Sequence, residues 1–383
     1  MRGAQEMILK ATADYAEKLT FKAIEESITD SKLLSHDSLN HVGRINYNEV
    51  ALGKYLGEGE FNVVLQAKIK DPSRSTFSSV GDDYLQEDSE RQYAIKFLKI
   101  SKVQKGKKFA RGSRDLAMEA HFLASLNHPN VIKLHAIPEG DIQTNISRGT
   151  EGCFFLIIDK IDITLRQKLY RWKDQSEDVA GFLARISRDP TSTKRKSIFS
   201  TRLEVVQQLS SVLAYLHSKS IIYRDFKPDN IGFDENGVLK LFDFGTAKEL
   251  KLKEEYYDGT YDLTAMIGSF RYMAPEVALV DAVYNLSADV YSFGVLAWQI
   301  LALQAPFEEI DQGIKSYSRD RLRPKIDARG KHSHWPKKIR SLLAQCWNED
   351  TSKRPSSEEI LTTLGEKKTK YHQQGYKSPR INI

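Results

Sequence analysis

From Val50 onward apolar and polar residues alternate through VALGKYLGEGEFNVVLQAKI, and the pattern resumes after an interruption in RQYAIKFLKI. A period of two with many β-branched residues predicts paired strands. The interruption, DPSRSTFSSVGDDYLQEDSE, is polar and turn-rich and reads as a loop insertion. A second, basic insertion, SKVQKGKKFARGSRD, precedes the helical pattern LAMEAHFLASL, and two more strand candidates follow near VIKLHAI and CFFLIID. Beyond about residue 161 the period turns helical, and LEVVQQLSSVLAYLHS places Val205, Leu209, Val212 and Leu216 on one face. Residues 170–200, which contain RDPTSTKRKS, are expected as another surface insertion. The most apolar long stretch, VYSFGVLAWQILAL at residues 290–303, is shorter than the ~20 residues of a membrane span and reads as a buried central helix.

This order predicts a small strand-rich lobe at about residues 49–161 and a larger helical one at about 162–365. Residues 1–48 form an N-terminal extension with a helix expected at about 5–26, and residues 366–383 form a basic tail. A chain of 383 residues suffices for two lobes with their own cores. Hydrophobic residues at 40% and charged residues at 28% exclude a disordered chain. The net charge of +6 suits anionic ligands such as nucleotide phosphates, but without a concentrated basic stripe it does not indicate nucleic acid. Two cysteines, Cys153 and Cys346, form no CxxC pair and suit a reducing compartment. With no signal-like apolar start, the expected location is the cytoplasm, with the nucleus as alternative.

Four short segments carry candidate chemistry. In LGEGEFNVV, Gly57 and Gly59 sit between strand-like runs, where a glycine turn brings backbone N–H groups near phosphate oxygens. A plain hairpin tip is the other reading; a dinucleotide fingerprint would be followed by a helix rather than a strand. Lys96 lies inside the apolar YAIKFL, so it needs either an anionic partner, for which Glu119 is the candidate, or an edge position with its head in water. Asp243 ends the apolar run of LKLFDFGTA. Its carboxylate and Asn230 offer hard oxygen ligands for Mg²⁺, although a strand-ending turn also explains the aspartate. In IIYRDFKPDNIGF, Arg224, Asp225, Lys227, Asp229 and Asn230 gather between apolar flanks. A hairpin across DENG would bring Asp225, Asn230 and Asp243 together: one carboxylate to take a hydroxyl proton, other oxygens for metal, and Lys227 to neutralise charge. HSH at residues 332–334 is a weak metal signal, because two histidines lack further spaced ligands.

The glycine loop, AIK, the helix glutamate, YRDFKPDN, DFG and MAPE occur in one order, followed by SADVYSFGV with Asp289 and CWNEDTSKRP with Arg354. In that order the chain resembles a eukaryotic protein kinase over residues 50–365. The resemblance implies an α+β, bilobal protein-kinase-like fold: a small antiparallel β-sheet N-lobe with one helix, and a larger, mainly α-helical C-lobe. It implies ATP and Mg²⁺ as cofactors. Gly57 and Gly59 would cover the phosphates, Lys96 would contact the α- and β-phosphates while held by Glu119, and Asp225 would be the catalytic base. Asn230 and Asp243 would bind Mg²⁺, with Lys227 near the γ-phosphate. Leu56, Val64 and Ala94 resemble the adenine-pocket roof, Asp159 to Ile161 the hinge, and Ile158 the gatekeeper. Leu123, Leu134, Tyr223 and Phe244 would stack as an internal spine, and Glu276 would pair with Arg354.

DFKPDN, GSFRYMAPE and the CW…RP ending resemble the tyrosine-kinase-like group of serine/threonine kinases, with dual specificity left open. Protein substrates are implied, without nucleic acid or a membrane span. Arg224 beside Asp225 further implies an upstream activating kinase, whose phosphate on the activation segment would pair with it. The candidates are Tyr256, Tyr257, Thr260, Tyr261 and Thr264, with Thr264 the leading one. Three positions depart from the family pattern. Asn62 replaces a third glycine, which its tolerance of left-handed backbone would explain; Tyr223 stands where histidine is common; and Gly232 replaces a bulky apolar residue under the adenine, implying modest ATP affinity or a neighbour filling the gap. Asn62 and Gly232 keep open a second class, a catalytically weak kinase-like scaffold that binds partners. The presence of Lys96, Asp225, Asn230 and Asp243 argues against it.

Overall fold

The period-two segments pair into a mixed sheet. The computed structural model describes residues 2–71, 92–99, 106–147, 154–183, 191–279, 281–307, 323–330 and 332–365. A first compact unit comprises Met1–Ile161 and Phe242–Gly245. It begins with α1 (Arg2–Ile28), which spans the helix expected at residues 5–26. Strands β1 (Gly43–Ile45), β2 (Val50–Glu58), β3 (Asn62–Ile69), β4 (Tyr93–Leu98), β5 (Leu134–Pro138) and β6 (Phe155–Asp159) then form a six-stranded sheet in the order β1-β5-β6-β4-β3-β2. The pair β1–β5 is parallel and the other pairs are antiparallel. Thus β1, contributed by the N-terminal extension, makes the expected antiparallel sheet a mixed one.

Alternation gives the sheet two different faces. Ile95, Phe97, Phe155 and Ile157 join Ile45, Val50, Ala67, Tyr93 and Ala136 in one hydrophobic cluster. The intervening residues Ala94 and Lys96 point the other way, and the register sets Val64 opposite Lys96 and Ile158 opposite Ala94. One strand further, Gly57 is opposite Val64. Most of the sequence-assigned nucleotide residues of this unit therefore share a face.

The basic segment expected as an insertion is helical where it is described: α2 runs Gly106–Ser125. Its lysines and arginines obscure the inward Phe109 and Ala110, which extend the buried stripe of Leu116, Ala117, Ala120 and Leu123 in the expected helix. Gly112 belongs to this packing, since a Cβ there would lie 2.6 Å from the Cβ of Phe61. The insertion expected at residues 71–90, between β3 and β4, lies outside the described residues apart from Asp71. Helix α3 (Ile142–Ser147) completes the unit, and α1 packs against both α2 and α3.

The second unit, Asp162–Leu241 with Thr246–Ile383, is mainly helical. After β7 (Ile163–Thr164) come α4 (Leu165–Leu183) and α5 (Thr191–Ser218). Residues 170–183 and 191–200 therefore lie in helices rather than in a surface insertion; 184–190 lie outside the described residues. The physical reason is apolar anchorage: Leu169, Trp172 and Phe199 are buried, and the Lys168 ammonium lies 3.7 Å from the Phe233 ring centroid. Val205, Leu209, Val212 and Leu216 are buried on α5 as their spacing predicts. Short strands follow: β8 (Ile221–Ile222), β9 (Ile231–Phe233), β10 (Leu239–Leu241), β11 (Lys248–Glu249), β12 (Tyr261–Asp262) and β13 (Val283–Tyr284). The expected hairpin across DENG exists, with Phe233 opposite Leu239 and Ile231 opposite Leu241.

Helix α6 (Ser287–Ala302) is the predicted buried helix, and α7 (Lys337–Cys346) and α8 (Ser357–Gly365) follow. Among the described residues no helix is long and apolar enough to cross a membrane. His332 is buried in an aromatic cluster, 4.3 Å from the Trp335 ring, and its Nδ1 accepts the Asp327 N–H at 3.0 Å. Its role is packing, and no group of three or more His, Cys, Asp or Glu among the described residues could hold a metal. Cys153 and the basic tail lie outside the described residues.

The approach of α6 to α7 needs a glycine. A Cβ on Gly294 of α6 would sit 2.5 Å from the Cβ of the fully buried Cys346 of α7. Substitution Gly294→Ala is therefore expected to cost about 1–3 kcal/mol through overpacking, read as a lower urea midpoint.

Candidate active site

In the first unit the site starts at the β2–β3 turn. The Gly59 N–H donates to the Asn62 carbonyl at 2.9 Å, and Lys99 Nζ reaches the Gly59 carbonyl at 2.8 Å and Glu58 at 2.9 Å. Among the described residues, a Cβ on Gly57 or Gly59 would meet no atom within 4 Å beyond its chain neighbours, so packing there does not demand these glycines. Bare backbone in open space is what a close-approaching phosphate requires. Asn62 departs from its sequence reading. Its φ is not positive, because it is the first residue of β3 and is paired with Leu98, so left-handed tolerance does not explain it. Its Oδ1 is buried without a hydrogen-bond partner.

Lys96 is neither on an edge strand nor in water. β4 lies between β3 and β6, and Lys96 is 8% exposed. Its ammonium lies 2.5 Å from Glu119 Oε2 and 3.0 Å from Asp243 Oδ1. Burial alone would favour the neutral amine. The Asp243 and Glu119 carboxylates outweigh it and lift the lysine pKa above its usual value. Glu119 is itself buried on α2, and Asp243 holds a left-handed backbone with φ of 66°. Next to it Phe244 is fully buried, and a Cβ on Gly245 would lie 3.2 Å from the Cβ of Asp115 on α2.

Around this centre Ala94 and Ile158 are buried, Val64 and Ile161 are half-buried, and Leu56 is exposed. The Asp159 carboxylate is occupied elsewhere: it accepts from His135 Nε2 at 2.8 Å and from the Lys133 N–H at 3.0 Å. Any hinge role of Asp159 therefore falls to its backbone. Leu123, Leu134 and Phe244 of the expected spine are buried in this unit, and Tyr223 is buried in the second.

In the second unit the loop between β8 and β9 gathers Asp225, Lys227 and Asn230. Asp225 Oδ2 lies 2.5 Å from Lys227 Nζ and accepts from Asn230 Nδ2 at 2.8 Å. Asn230 also donates to the Asp225 carbonyl at 3.1 Å. Buried Asp289, from the first turn of α6, shapes this loop, its two oxygens accepting the Tyr223 and Arg224 N–H groups at 2.7 and 2.8 Å. Gly268, at φ of 95°, seats GSFRYMAPE against the same loop, since a Cβ there would lie 2.1 Å from the Arg224 carbonyl.

A further brace, absent from the sequence reading, is a bidentate pair from Arg166 on α4 to Asp229. Arg166 stands far from the motif in sequence, and an exposed helical arginine carries no signal of its partner. Arg224 donates from Nε to the Thr246 carbonyl at 2.6 Å. Glu276 and Arg354 form the expected pair, at 2.5 and 3.0 Å. Gly232 is buried in β9, with Lys240 and Thr164 as register partners. Of the candidate phosphosites, Tyr256, Tyr257 and Thr264 are exposed, Thr260 is half-buried with its hydroxyl on Asp258 at 2.5 Å, and Tyr261 is buried.

Comparison with known proteins agrees with this geometry. A family model described as "Protein kinase domain" matches residues 50–364. The chain is 26% identical over 386 residues to a probable serine/threonine-protein kinase, gdt4, of Dictyostelium discoideum, covering 97% of this chain and 19% of that protein. It is 35% identical over 177 residues to serine/threonine-protein kinase STY46 of Arabidopsis thaliana, covering 45% of this chain and 28% of that one. Human mitogen-activated protein kinase kinase kinase 7 is 27% identical over 327 residues, covering 84% of this chain and 42% of that protein. The chain thus spans less than half the length of these relatives. Its match over most of its length and its ordered site residues make it a member of the protein kinase domain family.

Proposed function

We propose that the protein is an ATP-dependent protein kinase that transfers the γ-phosphoryl group to serine and threonine hydroxyls of protein substrates in signal transduction. The observation that carries this reading is the buried Lys96 ammonium, held charged by Glu119 and Asp243. A charge placed inside a protein at that cost needs a use, and an anionic phosphate is the one its family membership implies.

ATP supplies the phosphoryl group when bound, and Mg²⁺ spreads its negative charge. The chemistry of the residues suits both: the first unit has glycines with open space above them, an apolar sheet face at Val64, Ala94 and Ile158 and the Asp243 carboxylate, and the second has the hard oxygen donor of Asn230. In the proposed division of labour Lys96 orients the phosphates, and Asp225 accepts the proton of the attacking hydroxyl. A bond then forms from that oxygen to the γ-phosphorus as the bond to the β-phosphate oxygen breaks. Lys227, 2.5 Å from Asp225, is a positive charge available to the group in transfer. Asp289 and Arg166 brace the loop that carries Asp225.

Serine/threonine preference is supported by Lys227 two residues after Asp225 and by the names of the relatives. The scaffold reading is weaker, because Lys96, Asp225, Asn230 and Asp243 are all present and engaged in polar contacts. Switching by an upstream kinase is supported by Arg224 beside Asp225 and by the exposure of Thr264.

With Mg-ATP and a degenerate peptide library, mass spectrometry is expected to find phosphoserine and phosphothreonine. Lys96→Met and Asp225→Asn should each lower kcat/KM by about 10²–10⁴-fold. Product confined to tyrosine, or activity equal to that of the unaltered protein in either variant, would contradict the proposal. In the active enzyme Thr264 is expected to carry phosphate, with Thr264→Ala losing about tenfold or more in kcat. Full activity in a preparation unmodified at Thr264 would remove it from the switch.

A further inference from the structure

Helix α2 carries Glu119, and its position decides whether the carboxylate reaches Lys96. On one side α2 touches the site directly, through Gly112 against Phe61 of the glycine turn and through Asp115 against Gly245. On another it is gripped by the N-terminal extension. α1 packs along α2 and also meets α3, and its buried Thr12, Ala13, Ala16, Thr20 and Ile24 recur along one face of the helix. Small residues at this contact let the two helices approach closely.

Behind α1 the short helical turn His36–Leu39 also packs on α2, and His36 returns to Glu25 of α1 at 3.7 Å. His41 Nε2 then lies 2.9 Å from the carbonyl of Ala124, in the last turn of α2, where helix carbonyls lack intrahelical partners. Finally β1 fixes the far end of the extension to the sheet. The fit is tight, since a Cβ on Gly43 would lie 2.7 Å from the His135 carbonyl.

We infer that residues 2–42 are a positioning element for Glu119, holding α2 at the depth where its carboxylate meets Lys96. The inference rests on the kinase reading only for its output in activity; its structural half stands apart from that reading. The grip is not maximal. Thr20 Oγ1 in α1 and His121 Nδ1 in α2 are buried without a hydrogen-bond partner in the protein. Each weakens the face that buries it. His121 lies two residues from Glu119, and burial, with a smaller contribution from His36, pushes its imidazole pKa down to about 4.

The test is hydrogen exchange of the full chain, followed by mass spectrometry on peptides spanning residues 115–125, beside ATP kinetics. Ala16→Glu, a charge at a fully buried position of α1, is expected to speed exchange in these peptides about tenfold while α5 and α6 keep their rates. The KM for ATP should rise about fivefold or more, because Lys96 loses Glu119, one of its two carboxylate partners. Thr20→Val keeps the shape, removes the orphan hydroxyl, and should slow the same exchange about threefold.

If Ala16→Glu folds and leaves exchange at 115–125 unchanged, or frees α2 without moving the KM of an active enzyme, the inference is overturned. Faster exchange in both units would mark general destabilisation and also overturn it. If Ala16→Glu does not fold, Thr20→Val decides, and unchanged exchange there overturns it. A chain with no kinase activity whose α2 is freed by Ala16→Glu would defeat the kinase reading and leave the positioning intact.

Discussion

An ammonium buried inside a β-sheet is tolerable only with carboxylates in contact, and this requirement organises the first unit. Lys96 is placed by β4, Glu119 by α2, and Asp243 by a short segment that returns to the same unit from far along the chain. Each partner must be delivered to within about 3 Å of one nitrogen, because a buried charge left with a poor partner is destabilising by several kcal/mol. The close contacts of α2 serve that delivery. Gly112 admits Phe61, and Gly245 admits Asp115, so that the helix, the glycine turn and the aspartate segment sit at fixed depth.

The second unit meets a different constraint. Its loop must hold Asp225, Lys227 and Asn230 together although only two- and three-residue strands flank it. Regular pairing cannot shape so short a loop, and side chains take over the backbone's hydrogen bonds. Asp289 accepts two adjacent N–H groups, Arg166 fastens Asp229, and Gly268 removes the Cβ that would strike the Arg224 carbonyl. Residues distant in sequence thus fix a loop whose own sequence only supplies the reactive groups.

Much of this is legible in the sequence. Period-two alternation marked β2, β3 and β4, helical spacing marked α5, and the run of apolar residues marked α6, because each element buries one face or all of itself. The site residues were legible through their motifs and through the oddity of a lysine in an apolar strand. Less legible were residues 106–115, where four lysines and arginines outweighed the inward Phe109 and Ala110 in the reading. In residues 170–200 a basic, turn-rich patch hid continuous helix on either side. Asn62 was explained by the wrong property, since the turn closes with it already in a strand. The roles of Asp289 and Arg166 depend on partners 65 and 63 residues away, a distance that no local pattern spans.

The central claim is that the Lys96 ammonium is there to meet nucleotide phosphate. An ATP analogue bearing an acyl phosphate at its γ end transfers its acyl group to an amine lying beside the phosphates, so it reads that claim directly. The account predicts acylation at Lys96, suppressed by excess Mg-ATP and reduced in Gly57→Val, where a side chain enters the open space above the turn. Labelling confined to surface lysines and indifferent to ATP would contradict it.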